Sequence, residues 1–565
     1  MSTRSRCIFI EVMLASVVLS TASNGFTQRQ WRGFRRSEES RSRQLPPEES
    51  EKAIKAFDDL IREVKSERKI APDKIDEALS IVSEAALALP SEKLLSKLAA
   101  LQQYRADSAI PTPDGPLGRD RQLDQRILSA QVLALKSVSP EQVQAHPCAD
   151  SFPGSVSADA KRVSRNVEIR TDVPGWHNSG RYGNPRSPYW HSTGLYAIAG
   201  KVISVTVPES VTDKGLHLRI GCHSDQLWRR RSWSRAPDIC VRYPITETRT
   251  KAASGFGGLV YIESPPELEV TDFTTKIDGA VLAPYYVHGR TDLAEWRASI
   301  RNYPAPWAEL QSSKVILTLP SKDVRNLDDP KGLMDFWDRI MDCYAELLGL
   351  SPQRRRIERF VSDVQISAGY MHAGYPLMTM LDITSTMVDK DRIEANGHHG
   401  VWGLFHEIGH NHQSSHWTFA GTTEVTVNLF SLYVMEKICG LPIGGHPRVE
   451  EEARQRSMKD YFASGRDFEK WKSDPFLGLI MYIQMQQEYG WEPFQKVFAE
   501  YRELPNDRRP KTEDEKRDEW MVRFSMTVRR NLGPFFQAWG VPTSETARAS
   551  ITDLPVWMPD DIPVR

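Results

Sequence analysis

Residues 401–413 read VWGLFHEIGHNHQ, and they contain the pentapeptide His406-Glu407-Ile408-Gly409-His410. The apolar residues before the pentapeptide predict a buried helix. Residues four apart on a helix share a face, so His406 and His410 point the same way. Two imidazoles at that spacing can hold one Zn²⁺, and Glu407 can deprotonate a metal-bound water. The stretch therefore predicts a catalytic zinc centre with Glu407 as general base, and a His-rich surface helix is the alternative.

The third zinc ligand has two candidates. His416 lies ten residues after His406, which is the metzincin spacing, but that pattern needs a glycine turn where this chain has Gln413. Glu424 lies 14 residues after His410 and opens the segment EVTVNLFSLYVMEKI, whose apolar residues recur at helical spacing. A glutamate on a second helix packed against the first is the gluzincin arrangement. Spacing and turn chemistry favour Glu424 as the third ligand, and His416 remains the alternative.

Eight segments of the chain, including the one that contains the motif, match one known family and follow one another in the family's order. From the N-terminus they are WHSTGLYAIAGKVISVTVPE, LHLRIGCHSD, GGLVYIESP, APWAELQSSKVILTLPS, DVQISAGYMHAGYPLMT, GHHGVWGLFHEIGHNHQ, HWTFAGTTEVTVNLFSLY and FFQAWGVPTS. In these segments the chain resembles the enhancin-like zinc metallopeptidases, peptidase family M60, which include viral enhancins and bacterial mucin-degrading proteases. The resemblance runs from about Pro188 to Trp557.

This resemblance implies a zinc endopeptidase of gluzincin type that binds one Zn²⁺ ion. It makes Glu424 the third ligand beside His406 and His410, and His416 an ordinary neighbour. It also implies glycoprotein or mucin substrates, with O-glycans recognised beside the scissile bond. Two rival functions stay open. One is a non-catalytic glycan- or protein-binding member with a structural zinc, and the other is a metzincin-like peptidase that uses His416.

Four side chains are candidates for substrate contacts. Tyr370 and Tyr375 lie in the segment before the motif helix, where a sheet edge pairs with substrate in other zinc peptidases, and either hydroxyl could polarise the scissile carbonyl. Trp417 could stack on a sugar ring. Asn428 follows Glu424 by one helical turn and faces the site, as a substrate contact or a hydrogen-bond partner of a ligand. Packing is the alternative for both tyrosines and for Trp417.

The N-terminus resembles an export signal. Arg4 and Arg6 supply positive charge, residues 12–19 are mainly apolar, and residues 20–23 are small. Glu11 interrupts the apolar run, so a misassigned start or an uncleaved anchor is the alternative. The segment predicts a secreted or extracytoplasmic protein, periplasmic or at the cell surface. No other stretch is long and apolar enough to span a bilayer.

The periodicity of apolar residues predicts a multidomain α+β chain. In the N-terminal part the apolar residues recur at helical spacing. From about residue 190 they alternate with polar residues, as in strands, and later in the chain they mostly return to helical spacing. We expect an N-terminal helical module, a β-sandwich domain, and a mostly helical gluzincin-type zinc metallopeptidase domain with a small sheet. The predicted ranges are a signal peptide (1–25), a linker (26–48), the helical module (49–145), the sandwich (155–275) and the catalytic domain (276–565).

Composition limits the partners. The chain has 73 basic and 74 acidic residues, for a formal net charge of −1, so its overall charge does not predict nucleic-acid binding. Cys222 and Cys240 lie in the same predicted sandwich and either pair or remain buried thiols.

Overall fold

The structure, a computed structural model, describes residues 47–65, 110–171, 187–266, 268, 270–352, 357–397, 399–443 and 446–562. The predicted signal peptide and nearly all of the predicted linker lie outside these residues, as does the middle of the predicted helical module. None of the helices within the described ranges is both long and apolar enough to cross a membrane.

The two ends of the predicted helical module are helices: α1 (Pro47–Lys65) and α2 (Gln122–Ser137). Helix α2 buries Leu128, Val132 and Leu135 in one hydrophobic cluster with Phe256, a residue of the following sheet domain. The end of the predicted module is therefore part of the next domain's core.

The first sheet has eight strands. They are β1 (Val163–Ile169), β2 (Tyr189–Ala197), β3 (Ile203–Thr206), β4 (His217–Ile220), β5 (Val241–Pro244), β6 (Arg249–Ala252), β7 (Gly258–Ser264) and β8 (Phe273–Leu282). The strand order is β5-β4-β7-β2-β8-β3-β6, and β1 pairs with β8. Strand β8 runs seven residues past the predicted boundary at 275 and includes Asp278 and Gly279, a pair of residue types that is common in turns.

The two faces of this sheet bury different cores, since side chains alternate along a strand. On β7, Val260 and Ile262 join the core of the N-terminal domain itself. Leu259 and Tyr261, on the other face, join a cluster that includes Trp307 of the second sheet. The N-terminal domain therefore packs against the C-terminal region through a continuous apolar layer.

The second sheet has six strands: β9 (Tyr285–Val287), β10 (Trp307–Gln311), β11 (Val315–Pro320), β12 (Glu358–Asp363), β13 (Met371–His372) and β14 (Leu377–Met380). Their order is β13-β14-β12-β11-β10-β9. Strand β13 is a short outer edge that pairs antiparallel with β14 alone.

Helices make up most of the rest of the C-terminal region. They are α3 (Leu293–Ala298), α4 (Pro330–Leu347), α5 (Thr384–Met387), α6 (Lys390–Glu394), α7 (Val401–His410), α8 (Thr423–Cys439), α9 (Glu451–Ala463), α10 (Phe468–Ser473), α11 (Pro475–Tyr489), α12 (Glu492–Glu503), α13 (Glu513–Val528), α14 (Gly533–Ala538) and α15 (Glu545–Ala549). Helix α8 is buried on nearly all sides, which explains why its apolar residues do not keep to a single stripe. The predicted mixture of helix and sheet is confirmed.

One buried ion pair and a second buried arginine link the two domains. Arg235 of the N-terminal domain bonds Asp363 of β12 with an Nη2–Oδ2 distance of 2.7 Å, and both side chains are fully buried. Arg359 of β12 pairs with Glu309 of β10 and donates to the Trp190 carbonyl at 2.9 Å. Removing one partner of a buried pair costs about 3 to 5 kcal/mol, because the other charge is left buried and uncompensated.

The Cys222 and Cys240 thiols are both free. The Cys240 Sγ lies 3.2 Å from the His223 carbonyl oxygen, and the Cys222 Sγ lies 3.5 Å from the His223 ring. Burial raises the pKa of each thiol. Of the two possibilities, the structure contains free thiols, with Cys222 buried and Cys240 partly buried.

Candidate metal centre

The motif pentapeptide lies on helix α7, whose apolar face is fully buried. Gly409 sits where α7 meets α8, and a Cβ atom at that position would lie 2.9 Å from Val427 Cγ2 and 3.1 Å from Phe430 Cβ. Only glycine allows the two helices to approach this closely. The close approach brings Glu424, in the first turn of α8, to the His406 and His410 face of α7.

Three side chains converge between these helices. One ligand atom from each of His406, His410 and Glu424 lies within 4.8 Å of the others. Glu424 Oε2 is 3.1 Å from His406 Nε2 and 3.6 Å from His410 Nε2. All three side chains are partly exposed, so the space between them opens to solvent. Two imidazole nitrogens and one carboxylate are a donor set that suits Zn²⁺ and leaves a fourth position for water.

A side-chain amide on α8 holds the His406 ring. The Nδ1 atom of His406 lies 2.8 Å from Asn428 Oδ1, and the Asn428 amide donates to the Glu424 carbonyl oxygen at 2.8 Å. Because that amide nitrogen is used, the oxygen faces the imidazole, which must donate from Nδ1. The lone pair of Nε2 is therefore left for a metal. Both ends of the Asn428 amide are engaged and the residue is buried, so its predicted substrate contact is corrected to this supporting role.

The His410 ring is held in the same way by a residue that sequence reasoning missed. Its Nδ1 atom lies 2.7 Å from Gln413 Oε1. The Gln413 amide nitrogen donates to the Thr423 carbonyl and to Thr426 Oγ1, each at 2.8 Å. Gln413 thus ties the end of α7 to the start of α8. The only sequence signal was that glutamine stands where the metzincin pattern needs glycine.

The electrostatics of the site favour the charged forms of Glu424 and His410. Burial opposes ionisation of Glu424, but His410 and His406 outweigh it and hold the pKa of Glu424 well below its usual range. Burial also disfavours a charged His410, but Glu424 and Glu407 outweigh it and raise the pKa of His410 to about 9. A cation bound among these groups would replace the proton that the ligand set attracts.

Glu407 and His416 both lie outside the converging group. Glu407 follows His406 on α7 and is half-buried, so its carboxylate remains available to a bound water. The backbone of His416 donates to Ser414 Oγ at 3.3 Å, and burial lowers the pKa of its ring. Of the two third-ligand candidates, Glu424 is the one that the structure brings to the histidines.

Trp417 occupies the core. Its side chain is 2% exposed, and its ring lies 4.7 Å from that of Phe498 and 6.2 Å from that of Phe430. A ring with both faces covered cannot stack on a sugar, so that prediction is corrected. The packing alternative is what the structure contains.

The two tyrosines have different surroundings. The Tyr375 hydroxyl accepts from the Trp190 backbone at 3.4 Å and from Arg359 Nε at 3.5 Å, at the domain interface. Both contacts are ones that the hydroxyl accepts, so its role at the scissile carbonyl stays a prediction, with packing as the alternative. The Tyr370 ring packs 5.3 Å from that of His399, and its role at the carbonyl stays a prediction.

Asn411, directly after the motif, fixes the chain beside it. Its Nδ2 atom donates to Glu358 Oε2 at 3.0 Å and to the Gly374 carbonyl at 2.9 Å, and its Oδ1 atom accepts from the Gly374 backbone at 3.1 Å. The outer edge of the second sheet is thus held against α7. Sequence reasoning missed this contact, since no motif marks it.

Among known proteins, the chain is similar to the TRPM8 channel-associated factors. It is 39% identical over 379 residues to the TRPM8 channel-associated factor homolog of Xenopus laevis. The match covers 67% of this chain and 41% of that relative. The chain therefore spans about two fifths of the relative's length.

Solved structures share the fold. The ZmpB metallopeptidase from Clostridium perfringens matches with a TM-score of 0.54 at 15% identity, over 70% of this chain and 80% of that one. IMPa from Pseudomonas aeruginosa, solved in complex with an O-glycopeptide, matches with a TM-score of 0.52 at 14% identity, over 86% and 63%. At these identities the likeness concerns the fold.

Two family models match in succession. Residues 158–277 match the N-terminal domain of M60-like peptidases. Residues 279–540 match peptidase M60, enhancin and enhancin-like. The second match contains all three converging side chains and the helices that present them. The family predicted from the motifs is thereby confirmed: the chain belongs to peptidase family M60, the enhancin and enhancin-like peptidases.

Proposed function

We propose that the chain is a zinc-dependent endopeptidase. The observation that carries the proposal is the convergence of His406, His410 and Glu424 on one solvent-open point, with Glu407 beside it and outside the ligand set. A Zn²⁺ ion held there would acidify its water and polarise a peptide carbonyl. Glu407 takes the proton from the attacking water and later delivers it to the leaving amine.

Asn428 and Gln413 contribute by fixing the two imidazoles. Each amide oxygen accepts from an Nδ1–H group, so the Nε2 lone pairs stay directed at one point. A carbonyl partner of this kind also increases the basicity of the ligand. A partly exposed site whose imidazoles are held by buried amides fits a preorganised metal centre better than a surface cluster of histidines.

For the substrate we propose glycosylated proteins such as mucins, cleaved near an O-glycan. Two structures of similar fold support this class: IMPa was solved with an O-glycopeptide, and ZmpC of Clostridium perfringens was solved with the sialyl T antigen. The sugar-binding surface has to lie elsewhere than at Trp417, which is buried. Such substrates agree with the predicted export signal, and we propose an extracytoplasmic site of action.

The test is cleavage of a mucin by the purified chain. Four samples are compared: the zinc-loaded chain, the same chain with a chelator, the chelated chain after zinc is restored, and the Glu407→Gln variant. Cleavage in the first and third samples alone supports a zinc peptidase. A parallel assay uses the same mucin after enzymatic removal of its O-glycans and tests the substrate class. Equal cleavage of the two forms would indicate a general endopeptidase that does not recognise O-glycans.

A second candidate function is protein binding without catalysis. It is favoured by the 39% identity to a protein named as a channel-associated factor. Zinc-loaded wild type and Glu407→Gln that bind a glycoprotein equally, while neither cleaves it, would support this candidate. An intact Glu407 beside three ligands favours catalysis.

A further inference from the structure

In the first sheet, the pairing of β1 with β8 is irregular at Gly279. Two successive β1 residues, Val163 and Ser164, lie opposite positions 280 and 278 of β8. Gly279 is therefore an extra residue that has no partner on β1, and its φ of 90° lies in the left-handed region that favours glycine. Such an extra residue is a β-bulge, and glycine within a strand often marks a place where a ligand approaches the backbone.

Arg162 lies against this bulge. Its Nε atom donates to the Gly279 carbonyl oxygen at 2.6 Å, and its Nη2 atom donates to the Val202 carbonyl oxygen. A Cβ atom on Gly279 would lie 2.6 Å from Arg162 Nη2, so the guanidinium can lie here because the residue is glycine. Within the residues that the structure describes, Arg162 makes no ion pair and its Nη1 group makes no hydrogen bond, so that group stays available.

The Arg162 side chain borders an open cleft of about 480 Å³ on the surface of the N-terminal domain. This volume is within the range of about 300 to 1,000 Å³ that is usual for small-molecule sites. One row of side chains crosses the cleft, with one residue from each of four paired strands: Ser164, Asp278, Ser204 and Lys251. Arg249 lies two residues before Lys251 on β6, so the two side chains share a face.

The charges of the cleft favour an anionic ligand. Three cations line it, Arg162, Arg249 and Lys251, against the single carboxylate of Asp278. Arg249 makes no ion pair among the described residues. Lys251 pairs with Glu141 at 2.8 Å, but both side chains are about half exposed, and such surface pairs contribute little. The cations are therefore free to bind an anion from solution.

Two other groups in the cleft suit the hydroxyl groups of a sugar. Ser204 is only 7% exposed, and its Oγ atom accepts from Arg249 Nη2 at 3.5 Å, while its own proton has no acceptor within the described ranges. A hydrogen bond from the Ser164 hydroxyl and the charge of Lys276 lower the pKa of Asp278. Asp278 is therefore an acceptor at neutral pH. A bare phosphate ion offers this carboxylate little except repulsion, whereas a sugar offers it hydroxyl donors.

We propose that this cleft, formed by Arg162, Ser204, Arg249, Lys251 and Asp278, is a binding site for an acidic sugar. The carboxylate or sulfate group of the sugar lies against the two guanidinium groups, which are suited to bidentate binding of such anions. Its hydroxyl groups bond Ser204 and Asp278. None of these residues belongs to the metal centre. The cleft gives the chain a second contact with an acidic glycan of its glycoprotein substrate, and in that role the inference rests on the proposed function.

Isothermal titration calorimetry of the full, zinc-loaded chain tests the inference. The four ligands are sialyllactose, sulfated lactose, lactose and inorganic phosphate, which separate a carboxylate from a sulfate and a sugar from a bare anion. The variants are Arg249→Gln and Arg162→Gln. The matched control is Arg165→Gln, because Arg165 is an exposed arginine of β1 whose side chain points away from the face that carries Ser164. Thermal unfolding of every variant is measured alongside.

We expect at least one acidic sugar to bind the wild type about 10-fold more tightly than lactose or phosphate does. Arg249→Gln and Arg162→Gln should each raise its dissociation constant by about 10-fold, because each removes a charge-assisted hydrogen bond. Arg165→Gln should match the wild type. The acidic sugar that binds more tightly identifies the anionic group that the cleft prefers. If Arg162→Gln does not fold, Arg249→Gln decides, because its exposed side chain supports no other part of the sheet.

Acidic sugars that bind no better than lactose would overturn the inference, as would phosphate that binds as tightly as they do. Folded arginine variants that bind the sugar like the wild type would also overturn it, because the sugar would then bind elsewhere. A chain that cleaves a glycoprotein but binds no acidic sugar would overturn this inference alone. A zinc-loaded chain that binds the sugar through these arginines but cleaves no substrate would overturn the proposed function and leave the sugar site in place.

Discussion

Replacing Gln413 by leucine should weaken zinc binding although Gln413 is not a ligand. The side chain is fully buried, and its amide oxygen is the acceptor for His410 Nδ1 at 2.7 Å. Leucine has similar volume but no amide, so the variant removes the acceptor with little change in packing. Loss of a supporting partner of a metal ligand costs about 10- to 100-fold in affinity, or about 1.4 to 2.7 kcal/mol.

The assay is a competition titration against a chromophoric zinc chelator, which gives the dissociation constant of each variant. The matched control is Gln495→Leu, because Gln495 donates to the Tyr433 hydroxyl at 3.3 Å, outside the ligand set. Gln495→Leu should bind zinc like the wild type. A folded Gln413→Leu variant whose dissociation constant stays within twofold of the wild type would refute the reasoning.

Three further predictions follow from the same geometry. In equilibrium dialysis Glu424→Ala should lose zinc while His416→Ala keeps it, and the reverse result would restore the metzincin reading. Trp417→Ala should lower the free energy of unfolding by about 3 to 5 kcal/mol in a denaturant titration, because it empties a core position; a loss below 1 kcal/mol would contradict its packing role. The Asp225–His372 pair should stabilise the fold by about 2 to 3 kcal/mol near pH 6, measured as the difference between wild type and His372→Gln. The pKa of His372 is raised from 6.5 to about 9, so this difference is full below pH 6.5 and disappears as pH rises through 9. The pKa of Asp225 is lowered from 3.8 to about 2, so the difference also disappears as pH falls from 3.8 through 2, and a difference independent of pH would contradict the pair.

The ligand set was accessible from the sequence because it depends on local spacing. His406 and His410 share a helix, and Glu424 follows after a short connection, so helical periodicity alone places them near one another.

The supporting residues were harder to predict because their partners are distant in sequence or hidden by packing. Asp225 meets His372 across 147 residues of chain, and only the docking of two domains brings them together. Trp417 and Tyr375 look like free aromatics in the sequence, yet one is enclosed by the core and the other bonds Arg359 at the domain interface. Tertiary packing decides which neighbours these side chains contact, and the periodicity of the sequence carries no information about those contacts.

The most direct test of the zinc-peptidase proposal is the cleavage rate of Glu407→Gln at measured zinc occupancy. Glu407 lies outside the three converging ligand atoms, so we expect the variant and the wild type alike to bind one zinc per chain. Loss of a general base lowers the rate by about 10²- to 10⁴-fold, and we expect glycoprotein cleavage to fall by that factor. A zinc-loaded Glu407→Gln variant that cleaves at the wild-type rate would contradict the role of Glu407 and the catalytic centre built around it.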